Sequence, residues 1–341
     1  MNFCNLFRIF VLLPALLQLS CGSSSLQAAE ISTVELYQRS MALLAENPAQ
    51  VIVNFEQTRK VLQQAPGWYQ QDWYLLAARA YTARGLYPQA RDSLIRADDL
   101  VPTGLPAGNI ALTAGFVTYH QQYRQSARFW FNCAEKLPNP PESRAKLLLN
   151  LGIVEAFSNE YQSAMAHYQN GLALSEQHQF STLIPMYLNN MGNLYWRLAQ
   201  YEPAITALRQ ANFRYAALNN KVSQSRSGIN LLNVLVTMED WARYQRFYPG
   251  IVQVVAEVGN QEYELMLSIF EAVRQRTTQQ KVTLSDTALK QQMSALRNIN
   301  LQEMAQLLAA KIQLDWRAPK APMEPAEQQL RLPNTQALCF G

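Results

Sequence analysis

The chain has 341 residues, of which 49% are hydrophobic and 16% are charged, and its formal net charge at pH 7 is +4. This composition is typical of a packed protein rather than a disordered one, and the small net charge predicts no nucleic-acid partner. With 13 glycines, four cysteines and three histidines, the sequence argues against Gly-rich phosphate loops, a disulfide scaffold and a histidine-built metal site.

Residues 1–20 have the pattern of an export signal. A single cation, Arg8, precedes an apolar run over 9–19, which is too short to span a bilayer but fits the apolar region of a signal peptide. Cys21 follows after Ser20, and a glycine and three serines come next. This arrangement resembles a bacterial lipoprotein signal, in which Cys21 would be lipidated and residues 21–31 would form a flexible tether.

Ordinary secretory cleavage near Ala28 or Ala29 is the alternative, because Gln18 stands where a lipoprotein signal usually has leucine. No second apolar stretch approaches the roughly 18 residues that a membrane span requires. We therefore expect an exported protein that is held at the outer membrane through a lipid anchor only and faces the periplasm. Without the lipid, it would be soluble in the periplasm.

The middle of the chain repeats itself. A helix-forming block over 74–81 leads to Ala90, and a matching block over 188–195 leads to Ala204. Small residues at one recurring helical position allow two helices to approach closely. Alanines recur at this place, spaced 37, 37 and 40 residues apart, at Ala90, Ala127, Ala164 and Ala204.

These segments resemble the tetratricopeptide repeat (TPR) of the extended type, with units longer than the usual 34 residues. The resemblance covers about 70–250, with Tyr244 at the alanine position of a degenerate fifth unit and a weak helical pair over 32–65. It implies an all-α fold, a TPR superhelical solenoid of helix-turn-helix repeats over 32–250. An ordinary helical bundle with an accidental period is the alternative.

Residues 251–316 are expected to form C-terminal capping helices. Residues 262–276 have an amphipathic pattern, and Ser285 and Asn300 are the predicted N-caps of two further helices. We expect all three to pack on the last repeat. Four prolines then follow, so 317–341 is predicted to be an extended, mobile tail.

The sequence predicts no catalytic residues, metal site or cofactor. It contains no HExxH, no Gly-rich loop between strand and helix and no CxxC pair. Nothing marks Glu155 and Glu160 as an acid/base pair. Cys133 and Cys339 would meet an oxidising compartment after export, but whether they pair depends on geometry that the sequence does not contain.

The first helix of each unit lines the concave side of such a superhelix. Asn150, Asn190 and Asn230 recur at intervals of 40 residues. In extended TPR proteins, asparagines here and nearby hold the backbone of a bound peptide, because an amide offers both donor and acceptor. The alternative is that they bond neighbouring helices. Further residues expected in the groove are Arg79, Phe116, Tyr119, His120, Phe157, Asn189, Asn193, Trp196, Arg197 and Asn233.

These features predict a non-catalytic scaffold or adaptor that binds a protein or peptide segment in the concave groove. TPR lipoproteins of this kind resemble proteins that serve envelope, pilus or secretion assembly, or that recruit cell-wall enzymes. The alternative is a periplasmic ligand-sensing module of a signalling system, since similar long repeats occur in such sensors. An enzyme or enzyme subunit is disfavoured by the absence of a recognisable catalytic constellation.

Overall fold

A computed structural model describes residues 24–320, 325 and 329–341, with side chains described from residue 34 onward within the first helix. The expected signal peptide over 1–20 and the expected lipidation site Cys21 lie outside the described residues. All regular secondary structure in the described part is helical, which confirms the predicted all-α class.

The α-helices of the described residues, in chain order, are α1 (Ser24–Leu43), α2 (Pro48–Leu62), α3 (Gly67–Ala83), α4 (Tyr87–Asp98), α5 (Gly108–His120), α6 (Arg124–Lys136), α7 (Pro141–Phe157), α8 (Tyr161–Gln177), α9 (Ile184–Arg197), α10 (Tyr201–Ala217), α11 (Lys221–Met238), α12 (Trp241–Val258), α13 (Gln261–Thr277), α14 (Asp286–Ala295), α15 (Ile299–Lys311) and α16 (Pro333–Phe340). A single 3-10 turn, Val101–Thr103, connects α4 to α5 within this part of the chain.

Consecutive helices pair into repeat units, from α1 with α2 to α11 with α12. The turn inside each unit from α3 onward contains one residue with a left-handed backbone, at Gly85, Gln122, Asn159, Ala199 and Glu239. These residues lie 37, 37, 40 and 40 positions apart, which repeats the spacing of the alanines. The turn at Glu239 therefore identifies α11 and α12 as a fifth unit with the same geometry.

The close helix contacts lie where the sequence predicts them. Tyr244, which takes the alanine position in the fifth unit, is buried with 1% of its surface exposed. On the first helices, a Cβ added at Gly115 would lie 2.3 Å from the Phe131 ring, and one at Gly152 would lie 2.4 Å from the Tyr168 ring. Glycine therefore makes room for an aromatic ring of the paired helix. The repeating alanines are fully buried at Ala90, Ala127, Ala164 and Ala204.

Side-chain caps begin the five helices from α11 to α15. The predicted cap Ser285 is confirmed, since its hydroxyl accepts a hydrogen bond from the Ala288 N–H at 3.3 Å. The prediction for Asn300 is wrong by two residues, because Asn298 accepts from the N–H groups of Asn300 and Leu301 and starts α15 earlier. The same type of cap recurs every 20 residues at Asn220, Asp240 and Asn260.

The structure differs from the sequence prediction at the expected tether over 21–31. Helix α1 begins at Ser24 and so includes most of that segment. The physical reason is local, since residues 26–31 contain leucine, alanine, glutamine and glutamate, which favour helix, and no glycine or proline.

The predicted extended tail over 317–341 is wrong for its last part, because α16 is helical and packs against α4 and α6. A disulfide joins Cys133 to Cys339 across 206 residues, with the two Cα atoms 5.2 Å apart. The Asp98 carboxylate accepts hydrogen bonds from the backbone N–H groups of Asn334, at 3.1 Å, and Thr335, at 2.7 Å. Tertiary contacts therefore order a segment that a proline-rich composition alone predicts to be mobile.

Apolar packing runs the length of the stack, with one cluster around α2–α7 and α16, a second around α7–α9 and a third around α9–α15. None of the helices within the described residues combines the length and the apolar character that crossing a bilayer requires.

Candidate functional site

The concave face is formed by the first helices of the units, and α15 runs across it. The Glu303 carboxylate of α15 accepts one hydrogen bond from each terminal nitrogen of the Arg197 guanidinium, at the end of α9. The side chain of Asn300 hydrogen-bonds to Tyr119 at the end of α5, and Lys311 donates to the Thr237 carbonyl of α11 at 3.2 Å. Within the predicted cap over 251–316, residues 251–258 belong to α12 of the last repeat, α13 packs on α11 and α12, and α15 enters the groove.

The apolar face of α15 explains its position. Leu301 and Met304 are each 4% exposed, and Leu308 is 2% exposed. Burying an aliphatic side chain of this size contributes about 1.5–3 kcal/mol. The part of the concave face nearest the C-terminus is therefore already covered by a segment of the chain itself.

A small, partly open cavity of about 60 Å³ remains between α15 and the first helices. Met304 and Asn300 close it from the side of α15. The structure thus brings together six of the residues that the sequence placed in the groove, namely Tyr119, Phe157, Asn190, Asn193, Trp196 and Arg197.

Two cations flank the ring of Phe157 at the edge of this cavity. The guanidinium carbon of Arg124 lies 4.4 Å from the ring centroid, and that of Arg197 lies 5.3 Å away. The ring of Tyr119 lies 6.3 Å from the same ring, and burial raises the pKa of the Tyr119 hydroxyl. These contacts orient Arg197 toward Glu303.

The asparagines use their amides within the scaffold, which is the alternative that the sequence left open. Asn150 and Asn190 each donate, at 2.8 Å, to the carbonyl of the residue four positions earlier in their own helix. Asn230 donates to the side-chain oxygen of Asn189 at 2.9 Å, and both are buried. Asn233 is 1% exposed. In this arrangement the neighbouring helices cover Asn189, Asn230 and Asn233, and their contact with a bound chain stays a prediction.

Arg79 and Phe116 lie in the N-terminal half of the concave face, away from α15. Arg79 donates to the hydroxyl of Thr113 on the next first helix at 3.2 Å. Phe116 packs against His120, with ring centroids 4.3 Å apart. Desolvation of the imidazole by the surrounding protein, and to a smaller extent the nearby Arg226, lower the pKa of His120 to about 4. His120 is thus neutral at pH 7.

An open pocket of about 520 Å³ adjoins α15 at the edge of the concave face, and we call it the groove pocket. Trp196 forms its inner part, where the indole N–H donates to the Thr237 hydroxyl at 3.2 Å. Leu307 of α15 faces it with 52% of its surface exposed. The complete lining is Tyr161, Trp196, Arg197, Ala199, Tyr201, Thr237, Glu303, Leu307, Leu308 and Lys311.

Sequence reasoning missed the residues that α15 contributes to the groove pocket. Glu303, Leu307 and Lys311 lie outside the repeats, so the spacing that identifies groove positions does not apply to them. The one signal in the sequence is that Leu307 belongs to an apolar run of α15 but lies off the buried face of Leu301, Met304 and Leu308.

Two polar pairs lie elsewhere on the repeats. Nδ1 of His167 lies 2.6 Å from Oε2 of the buried Glu155, a contact that the sequence did not indicate. Glu160 forms two hydrogen bonds with Arg128. The described residues contain no cluster of three or more His, Cys, Asp or Glu side chains that could hold a metal ion.

A comparison with known protein families finds no match, and a comparison with curated proteins finds none either. Solved structures do match. A Rap protein complexed with competence and sporulation factor has a TM-score of 0.64 at 12% identity, over 87% of this chain and 81% of that one. Aspartyl phosphate phosphatase F from Bacillus subtilis has a TM-score of 0.60 at 12% identity, over 88% and 93%.

A STAND signal transduction ATPase with a tetratricopeptide repeat sensor, from Pyrococcus horikoshii, has a TM-score of 0.60 at 15% identity. That match covers 84% of this chain and 50% of the other. The chain has the fold of a TPR-type helical solenoid. At such identities the likeness is one of fold, since one fold supports many functions.

Proposed function

We propose that this protein is a non-catalytic scaffold that binds a protein or peptide segment at the groove pocket. The observation that carries the proposal is the position of α15, a polypeptide segment held in the concave face by buried apolar side chains and by the pair of Arg197 with Glu303. A concave face that holds one helix of its own chain has the shape and chemistry to hold a partner segment beside it.

The groove pocket has the features of a peptide site. Its volume lies in the range of ligand pockets, which are about 300–1,000 Å³, and its walls are largely aromatic and aliphatic. The Lys311 ammonium lies at the rim of the pocket, 2.7 Å from the partly exposed Glu239 carboxylate. An acidic group of the ligand would replace Glu239 as the ion-pair partner of Lys311. The fold neighbour complexed with competence and sporulation factor is in keeping with a binding role.

The proposal includes export, lipidation of Cys21 and attachment to the outer membrane facing the periplasm. It is supported by the apolar run over 9–19 and by the disulfide between Cys133 and Cys339, because disulfides persist in oxidising compartments. There the scaffold would serve envelope, pilus or secretion assembly, or recruit cell-wall enzymes.

Site-specific photocrosslinking in intact cells of the source organism tests this function. A photoreactive amino acid replaces Leu307, and the matched control replaces Val282, which is similarly exposed, at 44% against 52%, but lies between α13 and α14. We expect a defined adduct at position 307 that is absent at 282 and that weakens when Tyr201→Ser removes one wall of the pocket.

Equal adducts at both positions, or no adduct at 307, would contradict the proposed function. The same assay in cells that express the Cys21→Ser variant distinguishes membrane anchoring from partner binding. Release of that variant from the membrane with the adduct at 307 retained would assign Cys21 to attachment alone, and an unchanged membrane fraction would exclude Cys21 as the anchor.

A further inference from the structure

A short helix of this chain already occupies a groove on the convex face, which the second helices of the units form. Helix α16 packs against α4 and α6, and Leu332, just before it, is fully buried. Phe340 stacks on Phe129 of α6, with ring centroids 5.1 Å apart, and the Lys136 ammonium lies 4.3 Å from the centre of the Phe340 ring. The convex face thus accepts a helix between two consecutive second helices.

A second groove of this kind lies between α10 and α12, and we call it the convex groove. Its volume is about 680 Å³, and Leu231 of α11 and Ile251 of α12 belong to its lining. Phe213 stands in the wall with 76% of its surface exposed. Gly250 leaves the groove open, since a Cβ there would meet no atom within 4 Å. An uncovered apolar surface of this kind is typical of an interaction site.

The charge of the convex groove is positive. Arg209 and Arg246 line it, and no carboxylate does. Neither forms an ion pair within the part of the chain that the structure describes, whereas Arg128 and Arg243, also on second helices, are paired with glutamates. The Arg209 guanidinium lies 5.5 Å from the centre of the Phe247 ring. Guanidinium groups held beside aromatic rings are suited to binding carboxylates.

The dimensions fit a helix. The lining residues on α10 extend from Thr206 to Ala216, which is about 15 Å at 1.5 Å per residue, so a helix of roughly ten residues spans the groove. The α16 of a second copy lacks the required charge, because Pro333–Phe340 contains no acidic residue. Its own disulfide also holds it at α6.

We propose that the convex groove docks an amphipathic helix of a partner protein, with apolar side chains on one face and carboxylates along the flank. The apolar face covers Phe213 and Phe247, and the carboxylates pair with Arg209 and Arg246. This surface is formed mainly by α10 and α12 and shares no lining residue with the groove pocket, so the inference does not depend on that pocket.

A displayed library of helical peptides of about 14 residues, roughly 20 Å long, is the probe. Every peptide has an apolar stripe at helical spacing, with glutamate beside the stripe in one half of the library and lysine in the other. The targets are the purified chain, an Arg209→Glu/Arg246→Glu variant, and Gly250→Trp, which fills the groove. Arg214→Glu is the charge-reversal control, because Arg214 is an exposed residue of α10 outside the lining.

We expect enrichment from the glutamate half alone, with the affinity of the selected peptides falling roughly tenfold or more in both groove variants. In Arg214→Glu, and in Leu307→Ser at the groove pocket, the affinity stays within about twofold of the parent chain. Thermal unfolding of each variant confirms that it is folded. No enrichment, enrichment from the lysine half, or an equal loss in either control overturns the proposal.

Discussion

At Ala204, a single methyl group sets the distance between two helices. The residue is fully buried, and a Cβ added at Gly192 on the facing helix α9 would lie 3.3 Å from the Ala204 carbonyl and 2.6 Å from Leu208. Interiors packed this closely tolerate few added atoms. The small residues of the repeat are therefore required by volume, which is why their spacing in the sequence predicts the stacking of the helices.

Replacing Ala204 by leucine is expected to lower the free energy of unfolding by about 1–3 kcal/mol, because the added atoms overpack the contact between α9 and α10. Urea unfolding followed by circular dichroism measures the change. Ala217→Leu is the control, since Ala217 is exposed at the end of the same helix, and we expect it to stay within about 0.5 kcal/mol. Equal losses in both variants would contradict the assigned contact.

At the scale of one element, α16 owes its order to contacts distant in sequence. Its first N–H groups are bonded by the Asp98 carboxylate of α4, and the Thr335 hydroxyl donates to the same carboxylate at 2.5 Å. Cys339 is tied to Cys133 of α6. An isolated helix of eight residues is not stable in water, so packing and the covalent link together hold it.

Cys339→Ser is expected to release α16 and to lower the free energy of unfolding by about 2–4 kcal/mol, the usual contribution of a disulfide. Hydrogen exchange measured by mass spectrometry should increase over 333–340 and remain unchanged in α9. Wild-type protein reduced with a phosphine is the matched comparison and should behave in the same way. Unchanged exchange over 333–340 would mean that noncovalent contacts alone hold the helix.

At the scale of the whole molecule, α15 links parts of the superhelix that are far apart in sequence. Glu303 pairs with Arg197 across 106 residues, and Asn300 bonds Tyr119 of α5. Repeat proteins otherwise contact only their sequence neighbours, which makes their curvature easy to change. The contacts of α15 with α5, α9 and α11 therefore restrict the opening of the concave face.

Glu303→Arg is expected to place two cations together, weaken the docking of α15 and open the superhelix. The radius of gyration from small-angle X-ray scattering should rise, and the free energy of unfolding should fall by about 1–3 kcal/mol. The reversed pair Arg197→Glu/Glu303→Arg should restore both values. Glu264→Arg on α13 is the control, since Glu264 is exposed, and a radius that rises equally there would disprove the role of the pair.

Local patterns in the sequence were sufficient to predict the class, the repeat and the start of α14. Alanines at intervals of 37 to 40 residues mark helix contacts, and Ser285 marks a helix start. The sequence also predicted that Tyr119, Phe157, Trp196 and Arg197 lie on the concave face, since the repeat fixes which side of a first helix points inward.

What covers each face depends on packing between elements that are distant in sequence. Whether an amide such as Asn230 bonds a ligand or a neighbouring helix depends on the distance to Asn189, which no local pattern contains. The entry of α15 into the groove and the docking of α16 on the convex face join residues more than 100 positions apart. Such contacts follow from matching shapes and charges in space, and the repeat period carries no information about them.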